Sequence, residues 1–214
     1  MGCVIVSAGP LGERAVAQIQ QDDYIIACDG GWKRLEQWNT QPHLVVGDFD
    51  SSHPPKGMEC ICLPTEKDDT DTHYAARLAV QKGYTQIIML GALGGARMEH
   101  TFANIATALW LARQGCKVSL VDENSRVYPV LSGQCFSLAY DPAVYLSIFP
   151  LQSVASGVSL KGTKYPMQDG TLNSDYPIGV SNEILADGAE IQAGQGDLLV
   201  IVTQKDNQLG TNEE

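Results

Sequence analysis

The sequence predicts an α/β chain in two parts: an open, mostly parallel, Rossmann-like sheet domain over residues 1–127, then a smaller all-β domain over 128–214. Three observations predict it. Short apolar runs alternate with helical patterns up to about residue 127. Those runs lack polar alternation, as parallel strands covered on both faces do. Beyond residue 127 helical patterns stop, and glycines punctuate short β-type runs.

In the first part the strand candidates fall at 3–6, 24–28, 44–46, 60–63, 86–90 and 118–121, all rich in Val, Ile, Leu or Cys. Between them Leu11, Ala15 and Ile19 recur at i, i+4, i+8, and a helix is predicted over 74–82. Phe102, Ile105, Ala106, Leu109 and Trp110 make a longer amphipathic stripe, which ends near Gly115. Such alternation gives an open sheet with helices on both faces. In the second part, runs at 128–131, 135–138, 144–149, 154–160 and 197–203 are separated by Gly133, Gly157, Gly162 and later glycines. Evenly spaced short strands predict a small sandwich or barrel.

Composition narrows the partners. With 44% hydrophobic residues the chain has material for a core, and a net charge of −11 argues against nucleic acid or an anionic membrane as its partner. No apolar run approaches the ~18 residues of a membrane span. Residues 1–6 lack a basic start and stop at Ser7-Ala8-Gly9-Pro10, so they read as a strand rather than a signal peptide. Six cysteines without CxxC spacing point to a reducing, cytoplasmic setting, with Cys60 and Cys62 expected as buried thiols on one strand face.

The acids of the first part cluster. Asp29 follows the second strand run, Asp48 and Asp50 the third, Asp68, Asp69 and Asp71 the fourth, and Glu99 the fifth. Each cluster lies at a strand's carboxyl end, where open α/β sheets bind ligands. Crowded carboxylates repel unless a cation joins them, and hard oxygen donors without a His or Cys cluster favour Mg²⁺ or Mn²⁺. Gly30-Gly31 and Gly94-Gly95 would let backbone approach phosphates, and Lys67 and Arg97 add positive charge at the same edge. Taken singly each Asp reads as a turn or cap residue, and Asp69 is expected to cap the helix that follows it. Together, at successive strand ends, they favour a metal-bound polyphosphate.

The motifs Cys28-Asp29-Gly30-Gly31, Gly47-Asp48-Phe49-Asp50-Ser51, Lys67-Asp68-Asp69-Thr70-Asp71 and Gly91 through His100 with Phe102-Ala103-Asn104 stand in this order along the first part. Gly162-Thr163-Lys164-Tyr165-Pro166 and Gly179-Val180-Ser181-Asn182-Glu183 follow in the second. In these residues the chain resembles the thiamine pyrophosphokinase family, over nearly its whole length. The resemblance implies a homodimer whose subunits join an α/β domain to a β-sandwich. It implies transfer of the pyrophosphoryl group of ATP, with Mg²⁺, to the hydroxyl of thiamine, giving thiamine diphosphate and AMP.

By the same resemblance, Asp48, Asp50 and Asp71 are the expected metal ligands and, with Lys67, the catalytic set. Asp71 serves there as metal ligand or as acceptor of the alcohol proton. Asp29, Gly30, Gly31, Ser51, Asp68, Thr70, Gly94, Gly95, Arg97, Glu99 and His100 are expected around the nucleotide. Tyr165, Ser181 and Asn182 are expected to meet thiamine, acting across the dimer. One departure stands out: the family pattern usually reads Gly-Gly-Arg-x-Asp-His, whereas here Ala96 is interposed and Glu99 replaces Asp. Two rival readings of the same carboxylates are a metal-dependent nucleotide phosphohydrolase and a non-catalytic protein that binds thiamine or a nucleotide.

Overall fold

The computed structural model describes residues 1–49, 54–66 and 68–205; Asp50, Ser51 and Lys67 of the motifs above lie outside the described residues. The first compact unit spans Met1–Pro129. Its elements are β1 (Cys3–Val6), α1 (Glu13–Val16), β2 (Tyr24–Cys28), α2 (Gly31–Glu36), β3 (Leu44–Gly47), β4 (Cys60–Cys62), α3 (Asp71–Gln81), β5 (Gln86–Leu90), α4 (Met98–Arg113), β6 (Lys117–Val121) and β7 (Ser125–Val130).

The strands line up as β4-β3-β2-β1-β5-β6-β7; the first six run parallel and β7 turns back antiparallel on β6. All four residues of β1 and of β3 are buried, as their unbroken apolar runs predict. The chain steps from β1 outward to β4, then returns to the other side of β1 as β5. The strand order therefore reverses between β1 and β5, and a crevice opens there above the strand ends.

Three helices differ from the pattern read in the sequence. In α1 only four residues are helical, and Gly12 at its start makes no side-chain cap. Leu11 and Ile19 still pack against the core, the latter through a turn in which its N–H reaches the Val16 carbonyl at 3.0 Å. At α3 the cap is Thr70, whose hydroxyl accepts from the His73 N–H at 3.1 Å; Asp69, expected there, is paired with Arg77 instead. In α4 the buried stripe is Asn104, Thr107, Ala108, Leu111 and Ala112, while Phe102 is 68% exposed. Both faces of this helix are apolar enough to be chosen. Contacts with β6 and α3 bury the one built from small residues, which lets the backbones approach.

The second unit, from Val130 onward, holds β8 (Cys135–Leu138), β9 (Val144–Pro150), β10 (Val154–Lys161), β11 (Met167–Asn173), β12 (Ala189–Gln192) and β13 (Leu198–Gln204). It is a β-sandwich. One layer pairs β9 with β13, and the other is ordered β11-β10-β12-β8, antiparallel throughout. Val144, Leu146 and Ile148 of β9, with Ala155, Val158 and Leu160 of β10, point inward and are buried. Two strands, β11 and β12, carry too few apolar residues to stand out in the sequence. Within β11, an edge strand, only Leu172 is buried.

All six cysteines are free thiols. Cys3, Cys28 and Cys116 are buried, but Cys62 is exposed and Cys60 only half-buried, because β4 is the sheet's edge and lacks cover. No helix among the described residues is long and apolar enough to cross a membrane.

Candidate active site

A cavity of about 540 Å³ opens at the β1–β5 crevice. Its floor comes from strand ends: Ser7 after β1, Cys28 and Asp29 after β2, Asp48 after β3, and Gly91 and Ala92 after β5. Thr70, Asp71 and Thr72 close one side at the start of α3, and Gly94, Gly95, Ala96, Arg97 and His100 form another.

Local backbone aims the carboxylates. Asp29 and Phe49 both adopt left-handed φ, 48° and 53°, immediately past β2 and β3. Such angles are uncommon for residues with a side chain and turn the chain sharply. The Asp29 N–H is held by the Val46 carbonyl at 2.7 Å. One carboxylate oxygen of Asp29, Oδ1, is buried without a hydrogen-bond partner among the described residues. A buried acceptor left in this way is costly unless a ligand or ion meets it. Beneath the carboxylates the Ser7 and Thr72 hydroxyls share a hydrogen bond of 2.9 Å, and the Asn104 Nδ2 donates to the Ala92 carbonyl at 2.7 Å. These buried pairs tie β1, α3, α4 and the β5 loop together under the site. Burial, reinforced by the Asp71 carboxylate, pushes the Cys28 thiol up, so it stays protonated beside the acids.

The glycine pairs divide. Gly94 and Gly95 have φ of 68° and 87° and form an open wall: a Cβ at Gly94 would meet nothing within 4 Å. Their requirement is conformational. Gly31 has a different role, because a Cβ there would lie 2.1 Å from the Val6 carbonyl oxygen. It lets α2 press onto β1, and neither Gly30 nor Gly31 lines the cavity.

The longer loop also has a defined arrangement. Arg97 Nε donates to Glu99 Oε1 at 2.7 Å, and this bond holds the exposed Glu99 carboxyl below the usual range. Arg97 faces the cavity and Glu99 does not line it. Asp68 is exposed and lines a smaller hollow between α3 and α4 with His73 and Thr107. Asp29, Asp48, Thr70, Asp71, Gly94, Gly95, Arg97 and His100 thus share one cavity. Sequence reasoning missed Ser7, Arg34 and Thr72, which line it too.

Two family models match the chain: the thiamin pyrophosphokinase catalytic domain over residues 16–120 and the thiamin pyrophosphokinase vitamin B1 binding domain over 137–198. The chain belongs to the thiamine pyrophosphokinase family. The thiamine pyrophosphokinase of Bacillus subtilis is 24% identical over 183 residues, covering 82% of this chain and 85% of that protein. Thiamin pyrophosphokinase 1 of Caenorhabditis elegans is 24% identical over 201 residues, covering 85% and 81%. The crystal structure of the Bacillus subtilis thiamine pyrophosphokinase shares the fold with a TM-score of 0.86 at 22% identity, over 96% of this chain and 100% of that one.

The family's motifs in the second unit form a separate cluster. Asn182 is buried and brackets Tyr165: Oδ1 accepts from the Tyr165 N–H at 3.0 Å and Nδ2 donates to its carbonyl at 2.8 Å. The Tyr165 ring is 62% exposed, with Lys164 Nζ 5.7 Å from its centroid. Ser181 has φ of 57° and its N–H donates to Ser147 Oγ at 3.0 Å. Glu183 accepts from Lys164 at 2.5 Å and Lys205 at 2.9 Å.

Proposed function

We propose that this chain transfers the pyrophosphoryl group of Mg·ATP to the hydroxyl of thiamine at the carboxylate-lined cavity of its first unit. The observation that carries the reading is the convergence of Asp29, Asp48 and Asp71 on one cavity at the point of strand reversal, opposite the open Gly94-Gly95 wall. These donors are hard oxygens, and the unmet Oδ1 of Asp29 suits a site that receives a cation or its water. Among the described residues no three ligand side chains form a metal cage by themselves. Asp48 and Asp71, with Asp50, would hold the ion, and substrate phosphates would complete its shell. When bound, Mg²⁺ neutralises polyphosphate charge.

The chain's own groups do the positioning. Gly94 and Gly95 admit the polyphosphate close to the backbone, and Arg97 and Lys67 add positive charge beside it. The thiamine oxygen attacks the β-phosphorus in line, forming one O–P bond as the bond to the bridging oxygen breaks and AMP leaves with that oxygen. Asp71 takes the hydroxyl proton or serves as metal ligand. Catalysis is then mainly orientation and charge neutralisation. Tyr165, Ser181 and Asn182 would receive thiamine, each subunit of a homodimer completing the other's site. The exposed Tyr165, Ile178, Val180 and Leu185 of the second unit support a surface that a second copy would cover. Six free thiols support a reducing, cytoplasmic location.

The deciding experiment is incubation with ATP, Mg²⁺ and thiamine, followed by chromatography. AMP and thiamine diphosphate formed only when thiamine is present support transfer. AMP or phosphate released without thiamine supports the phosphohydrolase, and thiamine binding without turnover supports the binding protein.

A further inference from the structure

We infer that Arg34 is a further substrate-binding residue of this cavity, a guanidinium that grips the phosphates of the nucleotide. The inference rests on the nucleotide reading given above. Arg34 lines the cavity, and its Nε donates to the Ala8 carbonyl in the loop after β1 at 3.1 Å. That single bond orients the planar group and leaves its Nη donors without a carboxylate among the described residues.

The charge inventory of the cavity singles this residue out. Asp69 is neutralised by Arg77, and Arg97 is engaged by Glu99. Both arginines keep their Nη donors, but among the described residues Arg34 is the cavity arginine whose charge no carboxylate offsets. Arg suits that task because its fork matches two phosphate oxygens at once.

Its placement follows from the helix. Arg34 lies three residues after Gly31 and one before Leu35, on the side of α2 that faces β1. Gly31 draws that side to within 2.1 Å of the Val6 carbonyl for any added Cβ, and Leu35 is fully buried. So the residue stands on a rigid, close-packed helix face whose outer end meets the loop over the crevice.

The test measures binding of AMP without metal, by calorimetry, and steady-state kinetics with ATP, Mg²⁺ and thiamine. Arg34→Gln is expected to weaken AMP binding about ten- to hundredfold, as for loss of a charged hydrogen-bond pair. It is expected to raise KM for ATP while leaving KM for thiamine unchanged. Arg34→Lys, which keeps the charge but not the fork, falls between. Equal AMP binding by the wild type and a folded Arg34→Gln would overturn the inference. Equal rises of both KM values would overturn it too, because they would mean that Arg34 only props the Ala8 loop. Should Arg34→Gln fail to fold, Arg34→Lys decides alone, and AMP binding equal to the wild type would overturn the inference. A wild type that binds AMP through Arg34 yet makes no thiamine diphosphate would leave this inference standing and remove the transfer reaction.

Discussion

Asn182 holds Tyr165 by both ends of its carboxamide, accepting from the Tyr165 N–H at 3.0 Å and donating to its carbonyl at 2.8 Å, while Glu183 N–H reaches the same Oδ1 at 2.9 Å. An exposed aromatic ring is thereby mounted on a buried polar clamp. Asn182→Ala would leave the Tyr165 and Glu183 N–H groups without their acceptor, and the Tyr165 carbonyl with the Thr163 hydroxyl alone at 3.2 Å. Loss of about 2 kcal/mol of stability is expected in denaturant unfolding, together with a raised KM for thiamine. Unchanged stability would show that water replaces the clamp.

Glu183 lies between Lys164 and Lys205, whose hydrogen bonds lower its carboxyl from 4.5 to about 2. A carboxyl lowered in the folded state contributes its pairing above 4.5 and loses it as pH falls toward 2. NMR titration of the Glu183 side chain is expected to give a midpoint near 2 in the wild type. Lys164→Met should move that midpoint up toward the ordinary glutamate value. A wild-type midpoint already at 4.5 would mean that the pair is open in solution.

Gly31→Ala would drive a methyl into the Val6 carbonyl oxygen, 2.1 Å away. Since backbone on both sides must move, a loss of about 1–3 kcal/mol is expected from thermal or denaturant unfolding. Nucleotide affinity should fall as well, because α2 carries Arg34. A substitution at Gly94 has space but the wrong backbone angle, with φ of 68°, so Gly94→Ala should cost less, about 1 kcal/mol.

Chelation of divalent metal should abolish turnover, and added Mg²⁺ should restore it. Asp48→Asn and Asp71→Asn are each expected to lower kcat about a hundredfold or more and to shift the Mg²⁺ dependence to higher concentration. Thermal unfolding would show that both variants remain folded. Undiminished AMP production by Asp71→Asn would remove Asp71 from the chemistry.

Much of this was legible in the sequence because it is local. The apolar runs of β1, β2, β3 and β5 mark strands covered on both faces, and Asp29 and Asp48, written just past β2 and β3, stand at the ligand edge once the strands lie parallel. Less legible was anything that depended on which surface an element chose. In α4 two apolar stripes compete, and only packing against β6 and α3 selects the one through Ala108 over the one through Phe102. Strands β11 and β12 are defined by their ladders with β10 rather than by their own residues.

By itself, then, the sequence determined the parallel strands of the first part, the change to an all-β second part, and the strand ends at which the acids stand. Tertiary structure decided what each residue there faces. It separated Gly31, a contact between α2 and β1, from Gly94 and Gly95, a wall of the cavity. It set Asp69 against Arg77 and made Thr70 the cap, and it brought Arg34 into the cavity from a helix that no motif had marked for it. The physical reason is that periodicity along a chain reports which residues share a face. The partner of that face is chosen by backbone approach, burial and hydrogen bonds between segments distant in sequence.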